Sequence, residues 1–169
     1  MTTDSRLPIE PITDPRTAFA FLLGVLFNQR MRADQAWPAP HRLAERIRGI
    51  APAHVLALGP DAFAGRFGAA PAIHPFRRTM ASRAYAAAEL VAARYDGDAR
   101  RIWAGASAEE FVRRLHEFEG VGERKALVAL FVITRQLGIR LAGTAAGYSI
   151  RGCGKLAELF HPHHEPLLT

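Results

Sequence analysis

Residues 18–27, AFAFLLGVLF, carry no polar side chain in any direction. A helix without a polar face belongs in the interior, so the pattern predicts a buried helix over about 17–29. A second run of this kind, ALVALFVI at 126–133, predicts a central buried rod within a helix from about Gly122 to Leu137. Between the two runs the pattern is amphipathic. Met80, Ala84, Ala87, Val91 and Tyr95 recur at helical spacing through 76–95, with Arg77, Arg78, Arg83 and Arg94 around that stripe. Leu43 and Ile47 mark the inner face of a helix ending near Gly49, with Arg42, Glu45, Arg46 and Arg48 mostly toward solvent; Pro38 and Pro40 limit the stretch before it to a short turn. PAHVLAL and PDAFAGRF each open on a proline suited to a first helical turn. Ser107 and Glu110 have capping-box spacing, which starts a helix that ends near Glu117. No segment alternates as a strand and no hairpin dipeptide joins alternating runs. The predicted class is all-α.

The ends read differently. Pro8, Pro11 and Pro15 among scattered charges make 1–16 a loosely packed arm. Beyond 139, GTAAGYSIRGCGKLAELF reads as a glycine-rich loop with one helix near Lys155–Phe160. A chain of 169 residues supports one good core, and a single domain is expected. Its longest apolar run is far short of a membrane span, and acidic residues rather than a basic leader precede it. With Cys153 as the lone cysteine, no internal disulfide can form, and a reduced, cytoplasmic setting without membrane association is expected.

Charge changes the picture further. The net charge is +6 and the isoelectric point about 10.4, and 20 of the 22 basic residues are arginine, whose planar fork suits phosphate. Such a balance favours a polyanionic partner without naming it.

Chemistry concentrates in LHEFEGVGERKALVALF, residues 115–131, where Gly120 and Gly122 flank Val121 between two helical runs. One glycine suffices for an ordinary helix–helix turn. With two, Val121 can tuck between the helices while the backbone around it stays bare and Gly122 opens the second helix. Unpaired N–H groups and the positive end of the helix dipole then face outward together, an arrangement suited to an anion. A packing turn that binds nothing is the plainer alternative.

This hydrophobic-x-Gly-hydrophobic-Gly run is similar to the helix–hairpin–helix motif. FAFLLGVLFNQRMRADQAW resembles the opening helix of the endonuclease III-like DNA glycosylases, the helix–hairpin–helix GPD superfamily, and FRRTMASRAYAAAELVAARY resembles their basic, alanine-rich helix before the hairpin. PAIHPFRRTMASR, YDGDARRIW and RRLHEFEGVGERKA look most like a small bacterial branch of that superfamily. The order fits from about 17 to 138. The resemblance implies a helical barrel over 17–138 and a reduced second lobe and tail over 139–169. It also implies a monomer that acts on a damaged or mismatched base in duplex DNA, bent or damaged at the site. Many relatives hold an iron–sulfur cluster, which a chain with one cysteine cannot ligate alone, so no cofactor is expected. Phosphate contacts are implied for Gly120, Val121 and Gly122, supported by Arg124 or Lys125. Gln29 matches the glutamine that fills the gap left by a flipped base, the alternative being a polar residue fraying at a helix end. Arg30 and Arg32 would flank it on phosphates or stand as solvated charges.

The departures concern catalysis. The imine-forming lysine of bifunctional relatives falls on Arg124 here, and an always-protonated guanidinium is no nucleophile. Lys125 stands one residue later, about 100° around the helix. It is a weak catalytic candidate and more readily a phosphate or solvent contact. The aspartate that stabilises the cationic sugar has no counterpart in GIRLAGTAAGYSIRG; Glu119, Glu123 and Glu158 do not match its position. The expected reaction is therefore monofunctional N-glycosylase chemistry, with a non-catalytic lesion-binding protein as the alternative. His161, His163, His164 and Glu165 offer metal-capable groups in a tail broken by Pro162, but no metal site is expected there.

Overall fold

The structure, a computed structural model, describes residues 7–141. Eight α-helices account for most of them: α1 (Pro15–Phe27), α2 (Ala33–Ala36), α3 (Ala39–Ile47), α4 (Pro52–Leu58), α5 (Pro60–Gly68), α6 (Arg77–Arg94), α7 (Ala108–Leu115) and α8 (Glu123–Phe131). A 3-10 turn, Ala99–Ile102, separates α6 from α7, and a π turn, Val132–Gln136, continues α8. Among the described residues there is no strand, and no helix is long and apolar enough to cross a membrane.

The run without a polar face forms α1, and every residue from Thr17 to Phe27 is buried. Helices α3, α6 and α8 and the 3-10 turn all pack on it, while α4 and α5 lie along α6 and α7 pairs with α8. Aromatic groups pack against the middle and the C-terminal end of α1. Phe21 stacks on Trp37 at 5.8 Å and meets Trp103 edge-on at 5.7 Å; Phe27 meets Phe67 at 5.7 Å. Gly24 allows the first contact, because a Cβ there would lie 2.3 Å from Trp37 Cε3.

Several boundaries differ from the sequence reading. Residues 7–14 are not a loose arm: Leu7 is buried, and Ile9 and Ile12 pack on the core. Asp14 and Thr17 form a reciprocal cap that starts α1 at Pro15 rather than Thr17. The backbone of Leu7 exchanges two hydrogen bonds with the side-chain amide of Gln136, with Leu7 N–H donating to Oε1 at 3.0 Å. Arg46 does not point simply to solvent. Its guanidinium donates to the carbonyls of Arg66, Phe67, Ala69 and Pro71, closing the C-terminal end of α5. Ser107 caps α7 as its spacing predicts, accepting from Glu110 N–H at 3.1 Å. The Glu110 carboxylate instead turns to Arg113 and Arg114, which hold it below the usual carboxylate range. The helix expected near Lys155–Phe160, Cys153, Glu158 and the histidine-containing tail lie outside the described residues.

Candidate nucleic-acid interface

The turn between α7 and α8 is built from short local bonds. Phe118 N–H donates to Leu115 O and Val121 N–H to Phe118 O, both at 3.1 Å. Val121 is buried between the helices. The two glycines have separate tasks. Gly120 has φ +86°, and a Cβ on it would fall 2.6 Å from Arg83 Cδ and Nε; only glycine satisfies both conditions. Gly122 has φ −87°, which any residue adopts, and a Cβ there would meet nothing within 4 Å. Its Cα face is open.

Gly122 is also the N-cap of α8 and supplies no side-chain acceptor. Asp14 caps α1 and Ser107 caps α7. Helices α3, α4 and α5 carry a first-turn proline, which removes one donor. Only α6 and α8, among the described helices of eight residues or more, begin with neither device. The first N–H groups of α8 therefore meet an exposed surface formed by Gly122, Glu123 and Arg124.

Behind this surface the C-terminal end of α1 is held by side chains from three segments. Asn28 Nδ2 donates to Gly24 O at 2.6 Å, Lys125 Nζ to Leu26 O at 2.8 Å, and His74 Nε2 bonds Phe27 O at 3.0 Å. Phe76 N–H donates to His74 Nδ1 at 3.0 Å. An amide can only donate, so Nδ1 is bare and the proton sits on Nε2. Burial lowers the pKa of His74 and favours this neutral form.

Lys125 does not reach phosphate or solvent. Only 8% of it is exposed, and besides Leu26 O it donates to Gln29 Oε1 at 3.0 Å. Burial, and secondarily the charge of Arg83, lower its pKa to about 8. Arg124, one step around the helix, is exposed. Gln29 is half-buried, and its Oε1 also accepts from Arg83 Nη1 at 3.1 Å. Arg83 Nε is buried without a partner, an unmet donor that costs about 1–3 kcal/mol. Arg83 thus touches both the hairpin, at Gly120, and the loop after α1, at Gln29.

Arg30 follows with φ +50°, a left-handed conformation for a bulky residue, and its guanidinium lies 6.0 Å from the Phe76 ring centroid. Phe76 is 38% exposed at the start of α6. Arg32 is engaged elsewhere, in an exposed two-bond pair with Asp34. The structure thus brings Gln29, Gly120 and Lys125 together around Arg83, sets Arg30 against Phe76, and leaves Gly122 and Arg124 on the open surface. Sequence reading missed His74 and Phe76 and gave Arg83 no role beyond flanking the α6 stripe. Spacing does carry a signal for Arg83, which is three residues from buried Met80 and four from buried Ala87.

Among the described residues no carboxylate bonds to Gln29, Arg83 or Lys125. Compared with family models, curated proteins and solved structures, the chain matches none.

Proposed function

We propose that this chain binds duplex DNA through the Gly120–Gly122 hairpin and probes the base stack with Gln29, detecting a damaged or mismatched position. The observation that carries the reading is the start of α8, uncapped at Gly122 and uncovered. A backbone phosphate there would accept from main-chain N–H groups and meet the positive end of the helix dipole. That dipole interaction alone is worth about 0.3–1 kcal/mol, so affinity must come from further contacts, and Arg124 and Arg30 are placed to add them. The helical barrel and hairpin of the endonuclease III-like superfamily, with a reduced second lobe, are the architecture this reading assumes.

Removal of the detected base, as a monofunctional N-glycosylase, is the second reading. A filler at Gln29, joined to the hairpin through Arg83, is what a base-displacing enzyme needs to hold the opened stack. Imine chemistry is disfavoured, because Arg124 stays protonated and Lys125 Nζ is committed to Leu26 O and Gln29. The stretch after the central helix, GIRLAGTAAGYSIRG, carries no carboxylate in its sequence, which favours recognition over bond cleavage.

Gly122→Asp separates these readings from a hairpin that only packs. Aspartate caps slightly better than glycine, so the fold gains about a few tenths of a kcal/mol, while its charge occupies the anion position. An undiminished thermal melt together with loss of duplex binding supports the proposal; unchanged duplex binding would overturn it. Release of a base from any lesion-containing duplex, revealed by alkali as an abasic site, would establish the enzymatic reading. A full lesion panel without release leaves the binder.

A further inference from the structure

Gln29 cannot reach a base stack while its oxygen is held by two cationic side chains. Lys125 Nζ and Arg83 Nη1 donate to the same Oε1, at 3.0 and 3.1 Å. Lys125 is anchored independently by Leu26 O at 2.8 Å. Arg83 is the less committed of the two. Its Nε has no acceptor, and its Cδ, Nε and Cζ lie against the bare Cα of Gly120, 2.6–2.8 Å from where a Cβ would be. A donor without an acceptor is thus parked at the bend that the proposed function assigns to a phosphate.

We propose that Arg83 is a positioning residue that couples the hairpin to Gln29. In the free protein it holds the amide against Lys125. When a backbone phosphate occupies the hairpin, the guanidinium turns to it, leaving Gln29 with one donor instead of two and able to enter the stack. The direction of exchange follows from charge. Gln29 Oε1 is a neutral acceptor already shared with Lys125, whereas a phosphate oxygen is ionised, and such bonds are roughly twice as strong. A fork is needed, because one end must serve the hairpin while the other serves Gln29; a lysine ammonium has no such reach. Gly120 belongs to the device, since any side chain there would push the guanidinium off the bend.

The inference rests on the DNA reading, and the test separates the two. In the full chain, the side-chain amide resonances of Gln29 are followed on adding a short intact duplex, and they should shift with the Arg83 Nε–H signal. Binding is then compared for an intact duplex and one carrying a stable abasic-site analogue. Gln29→Ala should cut the preference for the abasic duplex by about tenfold, the size of one good contact. Arg83→Lys leaves Gln29 with one donor before any phosphate arrives. It should keep that preference and shift the Gln29 amide resonances of the free protein toward their duplex-bound positions. The double variant should match Gln29→Ala. A free-protein Gln29 amide that Arg83→Lys leaves unmoved, or a wild-type Gln29 amide that stays still while duplex binds, would overturn the coupling and leave the DNA reading standing. Wild-type protein that binds neither duplex would remove both. The resonance measurement uses unmodified protein, so it decides even if a variant fails to fold.

Discussion

Gly120 and Gly122 sit two residues apart and answer to different forces. Gly120→Ala must hold an L-residue at φ +86° and displace Arg83, so a loss of at least about 1–2 kcal/mol is expected in denaturant melts. Gly122→Ala meets open space at an ordinary φ. Its gain of about 0.4–1 kcal/mol through the unfolded chain is offset by alanine's poor N-capping at this position, so stability should change by less than about 1 kcal/mol. Equal effects would contradict the division of labour. Lys125 gives a pH signature. Its pKa falls from 10.5 unfolded to about 8 folded, so between those values the unfolded chain binds the extra proton and stability rises with pH. The cost of burying the ammonium is present in full below about pH 8 and is relieved toward 10.5. The melting temperature of wild type minus that of Lys125→Met should therefore climb across that window, and a flat difference would refute the shift. That Lys125 points inward was not legible in the sequence, which gave it a phosphate or solvent contact. Buried residues lie on every face of α8, and exposed Arg124 shares one with Val128 and Phe131 just as Lys125 does with Val128 and Ala129. Nor were its partners legible: Gln29 is 96 residues away and Leu26 is 99. Periodicity reports a face and never the group opposite it.

At the scale of elements, α1 depends on side chains for its last carbonyls. His74 supplies one of these bonds and must stay neutral to accept from Phe76 N–H. Because burial lowers its folded pKa below 6.5, its contribution is full above that value and is lost as pH falls through it. His74→Gln should flatten the acid limb of the stability profile; an unchanged acid limb would count against the assignment. Gly24→Ala drives a Cβ into Trp37 and should cost roughly 1–3 kcal/mol as an overpacked core, with altered tryptophan emission. The long elements α1, α6 and α8 were plain from their hydrophobic runs. The 3-10 turn after α6 and the ordered start of the chain were not, because both depend on contacts made only after folding. Arg46 shows why: four carbonyls of residues 66–71 hold it, and no local pattern announces acceptors twenty residues ahead.

For the whole molecule, a net charge of +6 predicts attraction to any polyanion, so affinity alone proves little. Salt dependence is more informative. If Arg124 contacts a phosphate, Arg124→Gln should reduce the slope of log affinity against log salt by about 1, uniformly across sequences. An unchanged slope would remove Arg124 from the interface. All-α character was legible throughout, because apolar residues recur at helical and never at strand spacing. The assembly of the interface was not, because Gln29, Arg83 and Lys125 converge from three helices' surroundings only once α6 and α8 pack on α1. The two-bond clasp between Leu7 and Gln136 spans 129 positions of sequence. Trimming the protein back past Leu7 would therefore not be a local edit. It would unfasten the final turn of the central rod, where Leu137 and Ile139 should then trade their amide hydrogens with solvent faster.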